Sequence, residues 1–275
     1  MKIALFVFWG IVVFIACNNP TTNNKSTLST ESAGENEEVT IVLEKVLDSP
    51  ARNSIKVNVD YDQYFKSPKK YLGFSLRPLL DAAWKTAAFD TTHAMVLFEC
   101  KDGYNPIMDL SKIYGPAQGY IVFKDLDQPD TKNWPDSLSQ HFSPYYLVWD
   151  KVKKEDKSFF WPYGLTTIRL IPEKEKYRLI QPDSSDAAYP GYITFRDNCM
   201  KCHSINKIGG SFGPEFNLPK NITEYRDEKQ LIAFAKAPAS FRYNSRMPAM
   251  TSLSDKEFEN IILYLKYMKE HKRDH

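Results

Sequence analysis

The sequence predicts an α+β domain followed by a small all-α domain, and three observations lead there. From Val39 to about Gln181 the apolar residues cluster in runs of about five, the usual strand length. Beyond Asp186 those runs thin out and apolar residues recur at helical spacing. Against a domain size of roughly 100–200 residues, the 275 residues leave room for one large domain or two modest ones. A charged fraction of 25% and an apolar fraction of 43% belong to a globular chain with a core, neither disordered nor an integral membrane bundle. Lys+Arg 36 against Asp+Glu 34 gives a formal charge of +2, which supplies no phosphate-neutralising field, so no nucleic-acid partner is expected. Four cysteines, Cys17, Cys100, Cys199 and Cys202, are too few and too unevenly spaced for a disulfide framework.

The first element is an apolar run, Ile3 to Ala16, behind Met1-Lys2. At about 1.5 Å per residue it reaches roughly 21 Å, short of the ~30 Å hydrocarbon core, which disfavours a spanning helix and suits a secretory h-region. The run closes on Phe14-Ile15-Ala16-Cys17, which resembles a bacterial lipoprotein signal, although Phe14 stands where that signal usually has leucine. The resemblance implies that residues 1–16 are a signal peptide and that Cys17 is acylated. It also implies a chain lipid-anchored in the cell envelope and facing the periplasm. Residues 17–38 are Asn, Pro, Thr, Ser, Lys and Glu with almost nothing apolar, so they read as a flexible tether.

The α+β domain is expected over residues 39–182. Its strand signals are Val39–Leu43, Ile55–Val59, Ala94–Phe98, Gly119–Phe123, Tyr145–Trp149 and Thr167–Ile171. One helix interrupts them, Leu76 to Ala88, with Leu76, Leu79, Leu80, Ala83 and Trp84 on one face. Asp102-Gly103 and Tyr163-Gly164 are turn signals, and Gln128–Pro135 reads as a surface loop. A polar seam, Pro182–Asp186, precedes the second domain, residues 186–275. There the spacing predicts helices over Tyr192–Cys202, Asp227–Lys236 and Asp255–Lys269, the last capped by Ser254.

Cys199-Met200-Lys201-Cys202-His203 is C-x-x-C-H, the attachment signal for haem c. Two thiols three residues apart can both add to the vinyl groups of one porphyrin, and the adjacent histidine reaches the iron from the same side. A zinc site would need a second Cys/His pair, which the sequence lacks, and a redox dithiol would need a βαβ context that this helical half does not offer. An extracytoplasmic address suits haem c, which is attached on the far side of the bacterial inner membrane. For the sixth iron ligand the sequence offers Arg246-Met247-Pro248-Ala249-Met250, since a thioether suits iron(II) and raises the potential. Met247 is the expected ligand, with Met250 as the alternative; both could instead be gap-filling core methionines.

Residues 186–275 resemble a class I cytochrome c domain. Gly191-x-x-x-Phe195-x-x-x-Cys199-x-x-Cys202-His203 is similar to that family's first helix, whose glycine touches the last helix, here through Ile261 and Tyr264. Gly213-Pro214 resembles the loop proline whose carbonyl accepts from the axial imidazole. Ser245–Pro248 running into Leu253–Glu257 is like the family's methionine loop and capped final helix. The stretch Ile205–Lys220 departs from the pattern by insertion. The resemblance implies one covalently held haem c on Cys199 and Cys202, with His203 and Met247 as axial ligands. It implies an electron carrier rather than a catalyst, serving a redox protein partner in or at the membrane.

The first half is weakly similar to the molybdopterin-binding fold of sulfite oxidase-like enzymes, through Tyr71–Leu80, Phe98–Tyr104, Phe160–Gly164 and Ile168–Ile171. That similarity implies an alternative, a molybdopterin-dependent oxidoreductase fused to its cytochrome acceptor, with Cys100 as the molybdenum ligand. Against it, Cys100 at the end of an apolar run reads as a small buried hydrophobe. His93 and His141 stand alone beside turn residues and read as surface or satisfied histidines.

Overall fold

The computed structural model describes residues 38–47, 53–87, 89, 91–92, 94–156, 158–172 and 177–274. The expected signal peptide, Cys17, the tether before Glu38, and His93 lie outside the described residues.

The first domain is built on an eight-stranded, wholly antiparallel sheet of β1 (Val39–Val42), β2 (Ile55–Val59), β3 (Lys69–Ser75), β4 (Ala94–Cys100), β5 (Ile107–Asp109), β6 (Gln118–Asp125), β7 (Tyr145–Asp150) and β8 (Tyr163–Pro172). The strand order is β2-β3-β6-β7-β8-β4-β5. The long β8 pairs with β4 along one edge, while β7 at its start and β1 at its end share the other. Register shifts at Leu72/Gly73, Glu99/Cys100 and Tyr145/Tyr146 bend the strands and curl the sheet.

Strands β4 and β7 are apolar at almost every position because both of their faces are covered. In β4, Val96 and Phe98 join the core under α2 (Leu76–Ala87), which contributes Leu76, Leu79, Leu80 and Ala83. Met95 and Leu97 point the other way, into a second core shared with the C-terminal helices. In β7, Leu147 and Trp149 belong to the first core, whereas Tyr146 and Val148 join an aromatic cluster with Tyr71, Trp134 and Phe142. Short helices α1 (Leu43–Leu47), α3 (Leu110–Ile113) and α4 (Ser139–Phe142) fill the connections. From α2, the Arg77 guanidinium donates to the carbonyls of Ile113 at 2.9 Å and Ala117 at 2.6 Å, pinning the α3 turn.

The second part carries α5 (Tyr189–Asn198), α6 (Glu228–Lys236), α7 (Pro238–Phe241) and α8 (Asp255–Lys269), a 3₁₀ turn at Ile222–Glu224, and a two-residue hairpin, β9 (Ser204–Ile205) with β10 (Ile208–Gly209). Helix α5 begins three residues earlier than the spacing predicts and ends before Cys199, because Pro190 suits a first helical turn and the chain tightens after Asn198. At α8 the Ser254 hydroxyl accepts from the Glu257 amide at 3.3 Å while the Glu257 carboxylate accepts from the Ser254 amide at 2.7 Å, a reciprocal cap. Asp227 caps α6 by accepting from the Gln230 amide at 3.1 Å. Sequence patterning missed β3 and β5. Lys69-Lys70 and Gly73 dilute the apolar run of β3, and β5 is only three residues long.

Candidate functional site

Helix α5 crosses α8 closely at Gly191, where a side chain would not fit. A Cβ there would stand 1.9 Å from the Asn260 carbonyl oxygen and 2.8 Å from the Tyr264 Cβ. Tyr192 and Phe195 then pack on the Tyr264 ring at centroid distances of 5.7 and 5.5 Å. This crossing fixes the end of α5, from which the C-x-x-C-H segment departs.

Beyond Asn198 the chain makes a tight turn. The amides of Cys199 and Met200 donate to the Phe195 carbonyl at 2.8 and 3.0 Å, and those of Cys202 and His203 donate to the Cys199 carbonyl at 3.1 and 2.9 Å. The three candidate residues Cys199, Cys202 and His203 therefore sit on one turn. Both cysteines are free, and burial pushes their thiols up to about 12 and about 11, so both are neutral thiols.

His203 is buried at 8% exposure, and its ring stacks on Phe216 with centroids 4.3 Å apart. Its Nδ1–H donates to the Pro214 carbonyl at 2.9 Å, which leaves Nε2 with a free lone pair. Burial holds the imidazole below its ordinary value, against the opposing effect of that bond, so the ring is neutral and competent as a ligand. Gly209, Gly210 and Gly213 let the chain wrap the segment. A Cβ on Gly213 would fall 2.4 Å from the imidazole Cε1.

The insertion-rich stretch 205–220 is tied down by buried asparagines. Asn217 donates to the Met268 carbonyl at 2.8 Å and to Asn206 Oδ1 at 2.7 Å, and Asn221 donates to the Leu265 carbonyl at 2.9 Å and to Asn217 Oδ1 at 2.7 Å. The loop path to Pro214 is thus anchored on the last turns of α8.

Met247 and Met250 occupy the loop between α7 and α8 and are half-buried, outside the core clusters. The gap-filling role belongs instead to Met200 and Met268, at 1% and 0% exposure. The Met250 amide donates to the Ala235 carbonyl at 2.9 Å, anchoring the loop on α6. Beside Met247, the Arg246 charge opposes the rise of the Tyr163 phenol that burial causes.

Cys100 is buried at 7% exposure, and desolvation, with Asp102 and Glu99, pushes its thiol well above the ordinary value. Cys100 thus packs as the small buried hydrophobe that its apolar run suggests. Among the described residues no group of three or more His, Cys, Asp or Glu is arranged to hold a metal ion. His141 is exposed, with its ring edge-on to Tyr163 at 6.4 Å.

Phe216, Gly209 and Gly210 were not picked out by sequence pattern. Three of the chain's 11 glycines within five residues were the available signal.

The model of the Cytochrome c family matches residues 189–269. The C-terminal third of this chain is a cytochrome c domain, and such a domain implies haem c and a haem-based electron carrier. Cytochrome c oxidase subunit 2 of Alkalihalophilus pseudofirmus is 28% identical over 97 residues, covering 33% of this chain and 28% of that protein. The chain therefore spans less than a third of that relative's length. The donor set fits a haem c: two neutral thiols on one turn, a neutral imidazole with Nε2 free, and a glycine wrap around the ring.

Proposed function

We propose that this chain is a membrane-anchored monohaem c-type cytochrome that carries single electrons in an extracytoplasmic redox chain. Cys199 and Cys202 would hold one haem covalently, and His203 and Met247 would ligate its iron. The observation that carries the reading is the His203 Nδ1–H bond to the Pro214 carbonyl, which fixes the tautomer a metal ligand needs. Bound haem supplies a one-electron iron couple.

The chain's own residues decide how that couple is used. Pro214 and Phe216 hold the imidazole in place, and the buried surroundings of His203 keep water from competing for the site. If both His203 and Met247 ligated the iron, no position would be left for small molecules, which would favour electron transfer over oxygen or peroxide chemistry. The acyl chains on Cys17 tether the domain to the periplasmic face of a membrane. The likeness to part of a cytochrome c oxidase subunit 2 supports a redox partner in or at that membrane.

Fractionation of cells producing the full chain tests this. The reduced haem c spectrum is expected with the membranes, and with the soluble fraction after Cys17→Ala. A spectrum that stays with the membranes in the variant contradicts the lipid anchor, and the lack of any haem c spectrum contradicts the carrier.

A further inference from the structure

We propose that the first domain serves as a collar for the haem-binding segment, its Cys100–Asn105 turn acting as a positioning element for the axial imidazole. This rests on the haem c reading above.

The turn is closed on itself. The Gly103 amide donates to the Cys100 carbonyl at 3.0 Å, the Tyr104 amide to Asp102 Oδ1 at 3.1 Å, and the Cys100 amide to Asn105 Oδ1 at 3.2 Å. It then grips the cytochrome domain at two points. The Gly103 carbonyl accepts from the amides of Ser211 and Phe212 at 2.9 and 3.2 Å, and the Asn105 amide donates to the Lys201 carbonyl, between the two haem-binding cysteines, at 2.8 Å. A third contact lies alongside, where the Lys201 ammonium sits 5.0 Å over the Phe160 ring.

Ser211 and Phe212 lead directly into Gly213 and Pro214. The Gly213 amide donates to the Cys202 carbonyl at 2.7 Å, and the Pro214 carbonyl holds Nδ1 of His203. Only a few bonded atoms separate the collar from the imidazole. There is no slack at either end. Gly103 has φ +84°, and a Cβ there would meet Ser211 Oγ at 2.4 Å and the Phe212 amide nitrogen at 2.9 Å, while Gly213 already touches the ring. Because Ser211 and Pro214 are exposed, this stretch needs an outside anchor, and the Gly103 carbonyl supplies it. The orientation and basicity of an axial histidine depend on what its second ring nitrogen bonds, so displacing the stretch alters the electronic state of the iron.

The test uses the full haem-loaded chain carrying Gly103→Ala, with Asn105→Ala as a milder opening of the same turn should the first lose its haem. Faster hydrogen exchange at the Ser211 and Phe212 amides is expected, together with displaced g-values in the ferric EPR spectrum. Ferric g-values that superimpose on the parent's in the haem-loaded variants overturn the collar alone. A parent chain that carries no haem overturns the collar and the reading beneath it.

Discussion

His203 and Met247 differ in how far their surroundings prepare them. The histidine is stacked, hydrogen-bonded and buried, whereas Met247 depends on a loop whose anchors are Met250's own amide and the Ser245 hydroxyl, 3.3 Å from the Met247 amide. Met247→Ala is expected to abolish the weak thioether-to-iron absorption at the red end of the ferric spectrum and to lower the midpoint potential, while Met250→Ala leaves both. Loss of the band in Met250→Ala instead reverses the assignment. That Cys199, Cys202 and His203 share one turn was legible in the sequence because their spacing is local. Phe216 and Gly103 were not, because their roles arise only when distant segments meet. Asp62 is a further residue of this kind. It is fully buried and accepts from the Tyr64 and Phe65 amides at 2.8 and 2.9 Å and from the hydroxyls of Tyr71 and Tyr146 at 2.8 and 3.2 Å. Desolvation still raises it above its ordinary 3.8. The folded chain therefore holds this proton more tightly than the unfolded chain. Its stabilising contribution is full below 3.8 and declines as pH rises through the raised value. Urea midpoints across the acid range should show that decline in the parent and its loss in Asp62→Asn; an identical slope in both refutes it.

Among the elements, the crossing of α5 on α8 sets where the haem-binding turn begins. Gly191→Ala forces a methyl group into the Asn260 carbonyl, and overpacking of that kind costs about 3 kcal/mol. A clear fall in the thermal midpoint is expected, and an unchanged midpoint contradicts the tight crossing. Elements with strong periodicity or full burial were readable from the chain: α2, α8 with its Ser254 cap, and the continuously apolar β4 and β7. Strand β3 was not, because a glycine and two lysines mask it, and its place is settled by pairing with β2 and β6. The 205–220 loop was equally opaque. Asn206, Asn217 and Asn221 look like surface residues in one dimension and prove to be a buried ladder that satisfies carbonyls at the end of α8.

Across the whole molecule, the polar seam before residue 186 suggests two independent bodies, yet the packing joins them. Met95, Leu97 and Ile171 of the sheet share a core with Tyr192, Phe195, Ile261 and Leu265 of the cytochrome domain, and the Tyr264 hydroxyl donates to the Ile180 carbonyl at 2.9 Å. The sequence hinted at this through the two-sided apolar character of β4, although a partner for the second face cannot be read from one strand. The first domain is thus packed against the cytochrome domain and hydrogen-bonded to its C-x-x-C-H turn. All of this turns on the thiols of Cys199 and Cys202 being bonded to a porphyrin. Intact mass measurement of the full chain, denatured and extracted with acidic acetone, tests that most directly. The account predicts a polypeptide heavier by one haem and still coloured, with both lost in the Cys199→Ala, Cys202→Ala double variant. A colourless chain with the mass of its amino acids and any lipid alone contradicts it.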